Sequence, residues 1–472
     1  MDLTHALRLL PPRALQDILP KSIGIVAGWN GIAFIGAGGK TTAMFQVARQ
    51  LSMTEKLPVI VTTTTHLGAW QILLADQHII ADSSAPLSGM GRGFHGVILI
   101  TGPVEGNRTT PLKDNVLFWL RENCELHDIP LLIEADGSRQ KPLKAPAENE
   151  PAIPRFSEQV IQVAGLSGLG KPLTEEHVHR PETFARLSGL NSEAIITSEA
   201  LTNVLIHPEG GLKNMLPNVR RVMLLNQADV PELQAQANKM ARKLLSAYDA
   251  VLVASLKHEQ IFAVHERIAG IILAAGESKR FGQPKQLLDW KGKPFVRQVA
   301  ETALHAGLWP VTVVTGAYAA EIEAAIRDLN VRIVRNERWQ EGQASSVRAG
   351  VANLTQPPPA IQNISEGVVG GAIFLLADQP QVTTSVLHAL VEHHSQELYP
   401  IVAPLILMEQ RANPVLFDCI TFRDLLALGG DTGGRAVFSK HTVEFMPWHD
   451  DRLLLDVDTP EQYKRLISDN TL

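Results

Sequence analysis

The densest run of chemistry-bearing residues in this 472-residue chain is Leu273-Ala274-Ala275-Gly276-Glu277-Ser278-Lys279-Arg280-Phe281-Gly282-Gln283-Pro284-Lys285. It opens where an apolar run of strand length, Ile271-Ile272-Leu273, ends. Small residues after a strand let the backbone approach a triphosphate closely, and successive N–H groups can cradle its oxygens. Arg280 and Lys285 would supply fixed positive charge where pyrophosphate must leave. Further along, Leu375-Leu376-Ala377-Asp378-Gln379-Pro380 ends another apolar run in a carboxylate, at the strand end where open α/β sheets bind ligands. Nucleotidyl transfer brings two anions together. Mg²⁺ relieves their repulsion, and it takes one or two carboxylates plus substrate oxygens.

A second phosphate-binding pattern stands near the start. Gly36-Ala37-Gly38-Gly39-Lys40-Thr41-Thr42 follows the apolar run Ile32 to Ile35. It departs from a standard P-loop because Phe34, not glycine, stands five residues before Gly39. Lys40 can still reach β- and γ-phosphates, and Thr41 or Thr42 can bind Mg²⁺ at a helix start. Met44, Val47, Ala48 and Leu51 then recur at helical spacing. Leu131-Leu132-Ile133 runs into Glu134 and Asp136 as a Walker-B strand would. Val222 to Leu225 runs into Asn226-Gln227-Ala228-Asp229, like the base-recognition strand of GTP-binding folds, with Gln227 where that pattern has Lys. His177 and His179 sit close together, but two histidines near a helix start are more often surface residues, and no metal is assigned to them.

These residues need strands to position them. In the first half, apolar runs occur at Pro58 to Val61, Val97 to Ile100, Leu131 to Ile133, Val160 to Val163, Val222 to Leu225 and Val251 to Ala254. In the second they occur at Val311 to Val314, Val331 to Val334, Ala372 to Leu376 and Ile401 to Ala403. Between Leu233 and Leu244 the apolar spacing is helical. Apolar strands alternating with helices predict parallel sheets covered on both faces. The chain reads as α/β with two domains, residues 1–262 and 263–472, joined at the polar stretch Lys257 to Gln260. Apolar residues make up 45%, charged residues 19%, and the net charge is −6, which disfavours a nucleic-acid binder. Cys124 and Cys419 are too isolated for a zinc motif or disulfide framework. No apolar stretch reaches membrane-spanning length, and the start lacks signal-peptide character, so a cytoplasmic protein is expected.

The Leu273 to Lys285 run resembles the molybdenum cofactor cytidylyltransferase (MocA) branch of the MobA-like nucleotidyltransferases. Further resemblances follow in the family's order: Asn336 to Ser346, Leu375 to Pro380, Asn413 to Phe417, Gly430 to Arg435 and Asp456 to Glu461. The resemblance implies a Rossmann-like domain with a mostly parallel sheet. It also implies nucleotide contacts at Leu273, Ala274, Ala275 and Gly276, and roles for Arg280, Lys285, Asp378 and Asp458, with Asp378 and Asp458 as metal ligands. Asp456 is the runner-up for Asp458, which could also cap the helix starting at Thr459-Pro460. Ser345, Ser346 and Asn413 would face the second substrate, although Ser345 could instead cap a helix. Ala274-Ala275-Gly276 with Pro284-Lys285 resembles the cytidylyl-transferring members, so CTP is the expected donor.

Residues from about 13 to 257 resemble the YqeC family, described as accessory proteins of selenium-dependent molybdenum hydroxylases. The glycine loop, Val61 to His66, Glu134 to Arg139, Pro142 to Pro146, Glu150 to Pro154, Gly165 to Gly170 and His179 to Glu182 carry it. The loop residues Gly36, Gly38, Gly39, Lys40, Thr41 and Thr42, with Asp136, Asn226 and Asp229, read beside it as a P-loop-like α/β domain that binds, and could hydrolyse, ATP or GTP. The expected function is transfer of CMP from CTP to Mo-molybdopterin, assisted by a nucleotide-binding accessory domain. An apo molybdenum hydroxylase of the xanthine dehydrogenase type would be the partner. A non-catalytic dinucleotide-cofactor chaperone and transfer to another small phosphate acceptor are the alternatives.

Overall fold

The structure, a computed structural model, describes residues 1–9, 29, 31–87, 94–217, 219–278, 281–355, 369–406, 410–457 and 459–468. It falls into two compact units divided between His265 and Glu266.

The first unit carries a nine-stranded sheet. Its order is Gln260–Glu266, Ala250–Ser255, Arg220–Asn226, Gln159–Gly165, Ile32–Gly36, Leu131–Glu134, Val59–Thr63, Val97–Thr101 and Gln77–Ile80. From Ala250–Ser255 to Gln77–Ile80 all neighbours are parallel. The inner strands are buried on both faces, as their continuous apolar runs demand. One face packs through Ile98, Ile100 and Ile133 against Val116 and Leu120. Elsewhere Met223, Leu225 and Val253 pack against Leu201, Val204 and Met240. The polar stretch expected to join the domains instead forms a short 3-10 turn, Leu256–His258, and the start of the strand Gln260–Glu266. That strand carries the first unit past residue 262.

The second unit has an eight-stranded sheet ordered Arg332–Arg335, Val311–Thr315, Ile268–Ala274, Gly371–Leu376, Val415–Asp418, Ile401–Ile406 and Gln410–Arg411, with Val443–Pro447 also pairing Ile401–Ile406. The half around Ile268–Ala274 is parallel. Val415–Asp418 runs antiparallel to both its neighbours. Ile272, Val313, Ile373, Leu375 and Leu416 form the core with Val299, Val386 and Leu390. Among the described residues, no helix is long and apolar enough to cross a membrane.

Candidate functional site

Parallel strands deliver their carboxyl ends to one edge of a sheet, and in the first unit that edge collects the glycine loop, Glu134, Asp136 and Asn226. Gly36 and Gly38 have φ of 95° and 78°, and a Cβ on either would lie 2.1 Å from Val163 O and 2.4 Å from Gly165 Cα. Only glycine permits that approach. The loop is wired to its surroundings: Ala37 N donates to Val163 O (2.8 Å) and Gly38 N to Lys141 O (3.1 Å). Gly36 N donates to Asp136 Oδ2 (2.9 Å). Asn226 Nδ2 donates to Gly38 O (2.7 Å) while its Oδ1 accepts from Leu256 N (2.9 Å), so Asn226 pins the loop to the neighbouring strands.

Lys40 is almost fully buried. Its ammonium donates to Gly36 O (2.8 Å) and pairs with Asp136 (3.0 Å), with Glu134 at 4.0 Å. Burial alone would lower its pKa, but the Asp136 and Glu134 carboxylates prevail and hold it above the ordinary lysine value. Burial raises the Glu134 carboxyl against the pull of Lys40 and the Thr41 hydrogen bond. Thr41 Oγ1 donates to Glu134 Oε2 (2.8 Å), and Thr42 stands exposed on the same helical turn. Asp229 is exposed and accepts from Oγ of Ser255 (2.5 Å), the residue before the Leu256 amide that Asn226 holds.

From Asp136 a chain of alternating charges runs outward. Lys144 Nζ donates to Asp136 Oδ2 (2.7 Å), Gly137 O (2.8 Å) and Glu150 Oε2 (2.9 Å). Glu150 accepts also from Arg180 (2.9 Å). Burial works to raise Glu150, yet Lys144 and Arg180 overcome it and bring its pKa down to about 2. His179 lies beside Lys144 in a two-strand pairing, Val178–His179 with Leu143–Lys144. Burial, then the charges of Arg180, Lys144 and Arg139, lower its pKa to about 4. Lys144, Glu150 and Arg180 were not singled out from sequence. They lie in a two-residue strand, a loop and a helix cap, too short for periodicity to mark them, and only their place in the stretches resembling YqeC pointed to them.

In the second unit the carboxyl edge holds the ends of Ile268–Ala274, Gly371–Leu376 and Arg332–Arg335. Leu273, Ala274 and Ala275 thus lead directly into the loop. Gln286 Nε2 donates to Gly276 O (3.0 Å) and Lys285 N to Ser278 Oγ (3.2 Å), which folds Lys285 back toward the strand ends. Its ammonium stands 3.4 Å from Asp378 Oδ2. Asp378 follows the strand next to Ile268–Ala274, and its neighbour Ala377 N donates to Leu273 O (3.1 Å). Partial burial lifts the Asp378 carboxyl above its ordinary value; Lys285 opposes this, and the charge of Asp456 adds to it. Asp456 accepts from Gln379 Nε2 (2.7 Å). Arg280 and Asp458 lie outside the described residues.

Ser345 and Ser346 are buried in the first turn of the helix Gln343–Thr355, both accepting from Asn336 Nδ2 (2.7 and 3.0 Å), and Ser345 Oγ donates to Gly342 O (2.8 Å). These bonds give both hydroxyls a structural duty. Asn413 Oδ1 accepts from Arg435 (3.4 Å), and Asp431 accepts from Gln343 N (3.2 Å), so the Gly430 to Arg435 segment abuts the same helix start. Among the described residues, no group of three or more His, Cys, Asp or Glu side chains is placed to hold a metal ion. Asp378 with Asp456 is a two-carboxylate arrangement.

Residues 32–182 match the YqeC protein family and residues 270–445 the MobA-like NTP transferase domain. The "Uncharacterized protein YqeC" of Escherichia coli (strain K12) is 36% identical over 200 residues, 42% of this chain and 75% of that protein. The "Nicotine blue oxidoreductase" of Paenarthrobacter nicotinovorans is 32% identical over 211 residues, 42% of this chain and 96% of that protein. A "Probable molybdenum cofactor guanylyltransferase" of Bacillus cytotoxicus is 47% identical over 89 residues, 18% of this chain and 43% of that protein. The chain therefore joins two families, belonging through its first unit to YqeC and through its second to the MobA-like nucleotidyltransferases.

Proposed function

We propose that the second unit transfers CMP from CTP to Mo-molybdopterin, releasing pyrophosphate, in the maturation of a molybdenum hydroxylase of the xanthine dehydrogenase type in the cytoplasm. The observation that carries this reading is the 3.4 Å pairing of Lys285 with Asp378 at the carboxyl edge of the sheet, beside the Leu273 to Gly276 backbone. Lys285 would bind the departing phosphates, and Arg280, from the same run, would add charge there. Asp378 is about one-third exposed, and Asp456 is close enough to act on its charge. Two hard oxygen donors suit Mg²⁺, with Asp458 as a further candidate from the same segment. When bound, the cation would reduce repulsion between the donor's α-phosphate and the attacking phosphate. The choice of CTP rests on Ala274-Ala275-Gly276 and Pro284-Lys285.

The first unit is proposed to bind ATP or GTP through Lys40, Thr41 and the helix that starts there, as an accessory step to cofactor finishing or delivery, selenium-dependent hydroxylases included. A phosphate would have to draw Lys40 away from Gly36 O and Asp136.

Pyrophosphate release from each of the four NTPs, with Mg²⁺ and Mo-molybdopterin, tests the reading. Release with CTP alone, dependent on the pterin and reduced about 100-fold or more in Asp378→Ala, is expected. The relative in Paenarthrobacter bears an oxidoreductase's name over the same domain, so the family alone does not decide the reaction. No release with any nucleotide would turn the reading toward a cofactor chaperone, another phosphate acceptor, or that other reaction class.

A further inference from the structure

Beside the glycine loop, the segment Ala69–Leu74 forms a 3-10 helix with apolar side chains turned to solvent: Trp70 is 58% exposed and Leu73 86%. The segment reaches the loop helix Lys40–Glu55 at two places. Arg49 holds one end, donating to Leu74 O (2.7 Å) and to Asp76 (2.6 Å). Gln71 holds the other, its Nε2 donating to Thr41 Oγ1 (3.0 Å). The opposite atom of that amide, Oε1, accepts from Gly68 N (2.9 Å) and closes the first turn of the segment.

Thr41 is the hydroxyl that the proposed nucleotide site offers to a divalent cation. Its proton goes to Glu134, and one of its two lone pairs accepts from Gln71. A cation on that oxygen would meet the positive amide hydrogens of Gln71 at close range. Flipping the amide would turn its NH₂ toward Gly68 N–H, donor against donor. A cation on the remaining lone pair therefore weakens the Gln71–Thr41 bond, and the amide has no second orientation that relieves the repulsion.

We propose that Gln71 is the residue through which occupancy of the first unit's glycine loop is transmitted to the exposed segment Gly68 to Leu74, which loosens when a Mg²⁺-bound nucleoside triphosphate arrives. The inference rests on the nucleotide-binding reading of that unit. Arg49, remote from the cation, keeps the segment's far end attached.

The test is hydrogen exchange of the full-length chain with Mg²⁺ and ATP, with Mg²⁺ and GTP, and with each nucleotide plus EDTA. Nucleotide occupancy is measured in parallel by equilibrium dialysis, and the part lost in Lys40→Ala is assigned to the first unit. Amides of residues 69–74 should exchange about three- to tenfold faster with the Mg²⁺-nucleotide, the loss expected for one hydrogen bond. They should not respond with EDTA. Gln71→Ala should exchange at the faster rate already without nucleotide and show no further rise. Lys40-dependent occupancy with unchanged exchange overturns the proposal and leaves the nucleotide-binding reading standing. An equal rise in wild type and Gln71→Ala overturns the role of Gln71. No Lys40-dependent occupancy removes the binding reading and this inference together.

Discussion

Replacing Glu150 by Gln removes the anion at the centre of the outward charge chain while preserving its size. Glu150 accepts from Lys144 and Arg180 at 2.9 Å each, and Lys144's side chain is only 4% exposed. Together these cations lower its pKa from 4.5 to about 2. At about 1.4 kcal/mol per pKa unit, the drop corresponds to roughly 3 kcal/mol of folding free energy. Glu150 is about one-fifth exposed, so solvent screening brings the expectation to about 2 kcal/mol. The sign follows from the depressed pKa: the stabilisation is complete above the unfolded value near 4.5 and fades as pH falls toward 2. Pulse proteolysis of the full chain in urea, scoring fragments from before residue 265, reads the first unit. Wild type should exceed Glu150→Gln by about 2 kcal/mol at pH 7 and lose that margin between pH 4.5 and about 2. A gap below about 0.5 kcal/mol at pH 7, or one that does not change with pH, would refute the argument that the pair is an electrostatic brace.

Asn226→Ala leaves Gly38 O and Leu256 N without their partner in a buried place. It should cost about 2–4 kcal/mol in the same proteolysis assay and abolish Lys40-dependent nucleotide binding, with pyrophosphate release by the second unit unchanged. Lys285→Met should lower pyrophosphate release and move its acid limb to higher pH, because Asp378, already raised, loses the charge opposing that rise; an acid limb that stays put counts against the pairing. Asn336→Ala removes the amide shared by Ser345 and Ser346 and should destabilise the second unit by about 1–3 kcal/mol in denaturant. Cys124 and Cys419 are both buried, so a thiol reagent should label neither until the chain is unfolded; rapid labelling of native protein would contradict their placement.

The sequence spoke most clearly where strands are buried on both faces. Ile32 to Ile35, Val222 to Leu225 and Ala372 to Leu376 are unbroken apolar runs, and each is an inner strand of its sheet. Edge strands carry no such signal. Gln77–Ile80 and Gln260–Glu266 mix polar and apolar residues because one side of each has no neighbour in the sheet. The polar stretch Lys257 to Gln260 that leads into the latter therefore read as the join between domains. The antiparallel turn of the second sheet at Val415–Asp418 was likewise invisible, since pairing direction leaves no mark on a short apolar run. Within the sites, motif residues such as Lys40, Thr41, Asp136, Lys285 and Asp378 could be named from type and spacing. Their wiring could not: the buried pairing of Lys40 with Asp136 and the chain through Lys144 to Arg180 depend on contacts between segments separated in sequence.

The glycine loop also bears on how the chain is made. Gly38 receives its bond from Asn226, 188 residues downstream. Ala37 donates to Val163, and the strand Ile32–Gly36 lies between two strands that come from well beyond it in sequence. At ribosomal rates of about 5–20 residues per second, the loop waits roughly 10 to 40 seconds between its own synthesis and that of Asn226. For about the first 5 to 20 seconds of that interval, until Leu131–Glu134 has been made, its apolar strand lacks a partner on either side. The nascent first unit thus presents an unpaired Ile-Ala-Phe-Ile segment to its surroundings, and early truncation leaves it uncovered.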